Sequence, residues 1–356
     1  MKTHEIDGAE RWNRRQFLAG GVGAALVGAV EPLDAANERP LKVGFLGTGY
    51  SHFAEKYRVI RENPEFELVG LAEADATVRA RGPAGARWLE RDRLLAEAEV
   101  IVVEGAVANH EADARVALEA GRHVHVEKPP AASLAGFVAL QELAARQRCV
   151  LQVGYMWRHN PGLQAAFAAA RAGWLGELYL VRATMNTQAT AETRREWARF
   201  PGGAMFEQGC HLVDAVVRLL GRPTRVTPFL QHAGAAADGL ADNTVAVFEY
   251  PRALALVTSA PLQPNAGPQR HFEVLGTGGT ARVQPLEPPG FTLDLGRAAG
   301  PHPAGRTEVT LPAYRRYVDE FRELAAVVRG RAKLEVGPEL ERDVQATLMQ
   351  ACGQGG

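Results

Sequence analysis

Two short stretches carry the residue types best suited to proton chemistry. The first is His123-Val124-His125-Val126-Glu127-Lys128-Pro129-Pro130, and its centre is Lys128. The chain holds only five lysines, at positions 2, 42, 56, 128 and 333, so Lys128 is the one lysine between residues 57 and 332. An ammonium can give up a proton when partly desolvated, whereas a guanidinium stays charged near neutrality. A lysine kept where the chain otherwise uses arginine is therefore a candidate acid/base, the alternative being a solvated strand end. The second stretch spans 201–214, where Glu207, His211 and Asp214 fall at i, i+4 and i+7. This spacing puts them on one stripe of an otherwise apolar helix. Ionisable groups there are costly to bury without a use, so the stripe should face a cleft. Metal ligation, a satisfied structural network and acid/base work beside Lys128 are its three possible uses. No third or fourth ligand stands at a recognisable distance, so no metal is expected. His123 and His125 read as core or cleft-lining histidines.

A third stretch could hold a nucleotide. Leu41–Leu46 reads as a buried parallel strand running into Gly47-Thr48-Gly49-Tyr50-Ser51-His52, which opens a helix over 53–62. Glycines in such a turn bring backbone N–H groups against a pyrophosphate at a helix amino end. The third glycine of that fingerprint is replaced here by His52. A second strand, 66–72, ends at Glu73, placed to meet a ribose 2′-hydroxyl. An acid there favours NAD over NADP, although nearby Arg79 and Arg81 keep NADP open. Gly276-Thr277-Gly278-Gly279 lies between two strand-like runs and reads as a hairpin turn with no helix to receive a phosphate.

These residues need a frame to hold them. A length of 356 residues suggests about two domains. With 46% hydrophobic and 23% charged residues and a net charge of −1, the composition is that of a soluble globular protein and excludes a nucleic-acid partner. Strands alternating with helices over 39–155 predict an α/β Rossmann domain, a doubly wound parallel sheet. Ligands bind outside the carboxyl ends of such strands, where the Gly47 turn, Glu73, Glu127 and Lys128 converge. Over 156–356, short alternating runs at 178–184, 226–230, 244–250, 253–259, 272–276, 280–283 and 291–295 predict a second α+β domain with a mainly antiparallel open sheet. Helices over 314–329 and 338–352 should pack back on the body.

Residues 1–38 read as an address and linker. Arg14-Arg15-Gln16-Phe17-Leu18 precedes a Gly/Ala-rich, mildly apolar run too short to span a membrane, with small residues beyond it. This order describes a twin-arginine signal peptide, cleaved near Ala35 or Ala36, and predicts a periplasmic protein with no stable membrane insertion after removal of the signal. Cys149, Cys210 and Cys352 form no metal spacing and no even disulfide framework. A chain folded in the reducing cytosol before export needs none.

Gly47-Thr48-Gly49, the strand-end Glu73, Ala120-Gly121-Arg122-His123-Val124 and above all Glu127-Lys128-Pro129 resemble the Gfo/Idh/MocA family, the glucose-fructose oxidoreductase and inositol dehydrogenase relatives. The resemblance extends through the second domain. It implies an NAD(P)-dependent oxidoreductase acting on the CH–OH group of a sugar or polyol, with Lys128 touching both nicotinamide and substrate. Gly47, Thr48, Gly49, Tyr50, Ser51, His52, Glu73, Glu104, Glu127 and Lys128 would then contact the cofactor. Glu207-Gln208-Gly209-Cys210-His211 stands where the family has Asp-x-Gly-x-His. His211, supported by Lys128, is thereby expected to move the hydroxyl proton, with Glu207 orienting the substrate or the imidazole. Tyr155, Arg158 and Asp214 are expected near the substrate, Arg158 being equally readable as a structural salt-bridged arginine. The segment Glu104-Gly105-Ala106-Val107 departs from the family's Ala-Thr-Pro-Asn and would bring the Glu104 charge close to a nicotinamide ribose. Two alternatives stay open: NAD held tightly and used transiently in an oxidation-elimination cleavage of a glycoside, and a non-catalytic sugar-binding or scaffold protein. The family's use of its open sheet face implies a homodimer or homotetramer.

Overall fold

The computed structural model describes residues 39–355; the signal segment expected over 1–38 lies outside them. The first layer runs β1 Leu41–Leu46, α1 Phe53–Glu62, β2 Phe66–Ala72, α2 Ala76–Ala80, α3 Arg91–Glu97, β3 Val100–Val103, α4 His110–Glu119, β4 His123–Glu127, α5 Leu134–Gln147 and β5 Leu151–Gly154. Its five strands are parallel in the order β2-β1-β3-β4-β5. Strands covered on both faces must be apolar throughout, and all four residues of β3 are fully buried. Chain direction through the sheet reverses between β1 and β3, which opens the ligand crevice of such folds above their carboxyl ends. The loops after these two strands touch: Tyr50 N–H donates to Glu104 O at 2.9 Å. Gly47 has φ +80°, and a Cβ there would lie 2.3 Å from Gly105 Cα, so the approach requires glycine.

The second layer continues with α6 Pro161–Arg171, β6 Leu178–Thr184, α7 Ala191–Trp197, a π-helical turn Met205–Gly209, α8 Cys210–Leu220, β7 Arg225–Gln231, β8 Asn243–Glu249, β9 Leu254–Ser259, β10 His271–Gly276, β11 Gly279–Val283, β12 Phe291–Leu295, β13 Gly305–Glu308, α9 Val318–Val328 and α10 Pro338–Ala351. Eight strands order as β13-β12-β11-β10-β6-β9-β8-β7, antiparallel except for the parallel pair β6/β9. Alternation shows in the burial: Ala246, Phe248, Ala255, Val257, Phe272 and Val274 point inward and are fully buried. Gly276 pairs with Gly279 in the β10/β11 hairpin, so the glycine-rich turn there is not at a helix end.

Two differences from the sequence reading have simple causes. Strand β13, Gly-Arg-Thr-Glu, has no apolar alternation to announce it and joins only at the sheet edge. Helix α9 starts at Val318 instead of 314, because Tyr317 adopts φ +69°, outside helical space. Among the described residues no helix is long and apolar enough to cross a membrane.

Candidate active site

A cleft of about 410 Å³ lies where the β1–α1 turn, the end of β4, α7 and the start of α8 meet. Tyr50, His52, Lys128, Glu207 and His211 all line it. The hub of this wall is Glu207. Its Oε1 accepts from Lys128 Nζ at 2.7 Å and from the Tyr50 hydroxyl at 2.5 Å, while its backbone carbonyl accepts a second bond from Lys128 Nζ at 2.7 Å. The Lys128 ammonium also stands over the Tyr50 ring, 5.2 Å from its centroid. Burial alone would push the Lys128 pKa down, but the Glu207 carboxylate outweighs it and holds the pKa above the ordinary lysine value. Lys128 is therefore a cation here, with three N–H donors of which Glu207 takes two.

His211 sits one turn along. Its ring packs on Trp157 at 5.1 Å, and its Nδ1 is buried without a hydrogen-bond partner. Burial, with Lys128 and His52 beside it, holds its pKa well below the usual value, so the imidazole is neutral. Asp214 lies deeper and leaves the cleft wall. It accepts from Arg158 Nε at 3.1 Å and Nη2 at 2.8 Å, and Arg158 turns its other edge to Glu341 of α10. Tyr155 is buried with its ring against the Arg158 guanidinium, 4.8 Å away. The expected stripe thus divides: Glu207 and His211 reach the cleft, while Asp214 is held by Arg158, which ties the domain entrance to the terminal helix.

Below the turn lies a buried charge cluster that the motifs did not announce. Lys56 of α1, fully buried, donates from Nζ to Glu104 Oε1 at 2.8 Å, to His125 Nε2 at 2.8 Å and to Glu127 Oε1. The ligand atoms of Glu104, His125 and Glu127 lie within 4.8 Å of one another, and the cation among them is this ammonium. Glu127 also receives Lys128 N–H on Oε2 at 2.9 Å and stands 2.9 Å from His52 Nδ1. With these donors it stays ionised, its pKa well below the ordinary carboxylate range despite burial. Glu104 has Oε2 unsatisfied, and burial pushes its pKa up, so Glu127 takes the shared charge and Glu104 the proton. Glu104 therefore faces Lys56, not the space above the strands. The one available signal for Lys56 was its type: it is among the few lysines of an arginine-using chain.

Glu320 of α9 closes this cluster beneath His125, and burial raises its pKa to about 7. A carboxyl whose folded pKa is raised contributes stability below the unfolded pKa and loses it as pH rises through the folded one. The melting temperature is thus expected to fall as pH rises from about 5 to about 8, and Glu320→Gln should flatten that slope. Scanning calorimetry of both proteins across this range checks it; parallel slopes would contradict the assignment.

The nucleotide turn fits a dinucleotide. Among the described residues, the N–H groups of Gly49, Ser51 and His52 meet no acceptor at the amino end of α1, where an anion is favoured. Glu73 Oε2 accepts from Thr48 N at 2.7 Å and Thr48 Oγ1 at 3.2 Å, which fixes the acid beside the turn at the end of β2.

Comparison with known proteins agrees with this arrangement. Residues 41–155 match the model of the oxidoreductase family, NAD-binding Rossmann fold, and residues 163–282 match that of the GFO/IDH/MocA C-terminal domain. Inositol 2-dehydrogenase 3 of Saccharopolyspora erythraea is 24% identical over 259 residues, 68% of this chain and 73% of that protein. D-glucoside 3-dehydrogenase of Escherichia coli is 28% identical over 204 residues, 53% of this chain and 56% of that protein. The chain spans about half the length of several curated relatives that it matches. The crystal structure of GenD2 from gentamicin A biosynthesis, in complex with NAD, superposes with a TM-score of 0.74 at 26% identity, covering 89% of this chain and 94% of that one. With both domain types present in order and about two thirds of the sequence matched by them, the chain belongs to the Gfo/Idh/MocA oxidoreductase family.

Proposed function

We propose that this protein is an exported NAD-dependent oxidoreductase that moves a hydride between nicotinamide and the alcohol carbon of a sugar- or polyol-like substrate. The observation that carries the reading is the Lys128–Glu207–Tyr50 hub, set in the same cleft as a turn with free backbone N–H groups. The names of the inositol and glucoside dehydrogenases and the NAD bound to GenD2 support the substrate and cofactor classes. The N–H groups of Gly49, Ser51 and His52 would hold the pyrophosphate, and Glu73 a ribose, which favours NAD over NADP. When bound, NAD supplies the hydride acceptor. The protein's own part is orientation and charge. Lys128, held by Glu207, offers its remaining N–H to the alcohol oxygen and stabilises the negative charge that grows there. His211, neutral and with no hydrogen bond to Nε2 among the described residues, can hold a substrate hydroxyl. Transfer of deuterium to the nicotinamide from carbon-deuterated myo-inositol, glucose or methyl glucoside tests the reading. Label on the nucleotide is expected, and a panel from which none is transferred would overturn the substrate class.

A second reading, in which NAD stays bound and oxidation is followed by elimination of a glycoside, is favoured by two imidazoles in one cleft, His52 and His211. Cleaved sugar without net NADH would identify it. The reading also includes self-association. Leu180, Val245, Val247 and Leu256 are half-buried on the outer face of the large sheet, with Phe229 and Leu254 exposed at its side. A second copy would cover this face, and light scattering of the purified chain is expected to give a dimer or tetramer mass.

A further inference from the structure

We propose that His52, standing where the dinucleotide fingerprint has its third glycine, is the proton-accepting base of the cleft, with Glu127 as the carboxylate that fixes its tautomer. The inference rests on the alcohol oxidation proposed above. It reassigns the proton that sequence resemblance gives to His211.

The tautomer follows from hydrogen-bond supply. Glu127 lies between Lys56 Nζ on Oε1 and Lys128 N–H on Oε2, and so remains a carboxylate with no proton to give. His52 Nδ1, 2.9 Å from Oε1, must then be the donor. Its proton is placed on Nδ1, and the lone pair on Nε2. That nitrogen has no hydrogen-bond partner among the described residues, and it is not sealed in the interior as His211 Nδ1 is. The side chain is 12% exposed and lines the cleft beside Lys128 and His211.

The same comparison decides between the two imidazoles. A base that takes a proton becomes a cation. At His52 the new imidazolium forms an ion pair with Glu127 already in place. At His211 it would leave a buried Nδ1–H without an acceptor, next to the Lys128 ammonium and within the field of Arg270. Burial lowers the His52 pKa, with Glu127 opposing it, so the imidazole is neutral and ready at pH 7. The groups facing His52 are Glu127 and Lys128 at the end of β4, Lys56 of α1, Tyr50 of the turn, His211 of α8 and the Tyr317 ring ahead of α9. In the forward direction the substrate O–H bond breaks, its proton forms the Nε2–H bond and the electron pair left on oxygen forms the C=O bond, while bound NAD would accept the carbon hydrogen with its electron pair. The proton then passes to solvent through the cleft.

The test has two arms on the full chain. In the first, ¹⁵N-histidine NMR, with His52 assigned by its loss in His52→Gln, is expected to show protonated Nδ1 and bare Nε2 at neutral pH. A proton on Nε2 would overturn the proposal. In the second, His52→Gln is expected to lower kcat by about 10²- to 10⁴-fold with KM nearly unchanged, using whichever of myo-inositol, glucose and methyl glucoside the wild type oxidises. The acid limb of the wild-type pH profile should vanish in the variant. A loss below about tenfold, or an acid limb that persists, would overturn it. If no nucleotide is bound and no alcohol oxidised, the oxidoreductase reading fails while the NMR arm still reports on the dyad, so the two fail separately.

Discussion

Lys128→Met is expected to lower turnover by about 10²- to 10⁴-fold while the purified protein keeps its nucleotide. The side chain is 3% exposed and gives two of its donors to one residue, Glu207, across the two domains. Methionine has similar length and no charge, so it fills the space but cannot hold an alkoxide-like oxygen. It also leaves Glu207 with only the Tyr50 hydroxyl, so the acid will hold its substrate less well. The nucleotide turn is built from other residues, the amides at α1 and Glu73, and should be unaffected. Steady-state kinetics with a count of nucleotide per chain separates the effects. Lost nucleotide with normal turnover per loaded site would move Lys128 from chemistry to binding.

Lys56→Met is expected to have the largest effect on stability, about 3–5 kcal/mol, because it removes one partner of a buried ion cluster. Glu104, Glu127 and His125, all fully buried, would lose their common donor. The abandoned Glu127, ionised in the wild type, would then prefer its proton, its folded pKa rising above the unfolded value. A group shifted that way favours the folded state below the unfolded pKa and ceases to do so as pH rises through the folded one. The variant should therefore be weakest at neutral and alkaline pH and recover toward acid. Urea unfolding at about pH 5 and about pH 8 reads this directly. A loss that is equal at both would mean that Lys56 acts through packing alone.

Much of the frame was legible because its signals are local. The alternation of buried strands and helices over 41–155, the Gly47 turn and the period-two runs after 178 each depend on neighbours in sequence, and each appears where periodicity puts it. The site was legible by type but not by partner. Lys128, Glu207 and His211 do share a cleft, yet the placement of Arg158 depends on Asp214 and on Glu341, 183 residues further along the chain, which no spacing reveals. Glu104 looked like a charge beside the cofactor because its loop is there. Its side chain turns inward because Lys56, 48 residues earlier on α1, offers it a buried donor. His52 looked like a damaged fingerprint, and only the third dimension shows the ionised Glu127 behind it.

The central claim is that the turn and the Lys128 hub form one nicotinamide-dependent site. Denaturing the purified full chain and identifying the released nucleotide, then titrating any empty protein with NAD and NADP, tests it most directly. The account predicts NAD, bound at one per chain or taken up on addition in preference to NADP. Protein that is released empty and binds neither nucleotide would contradict it.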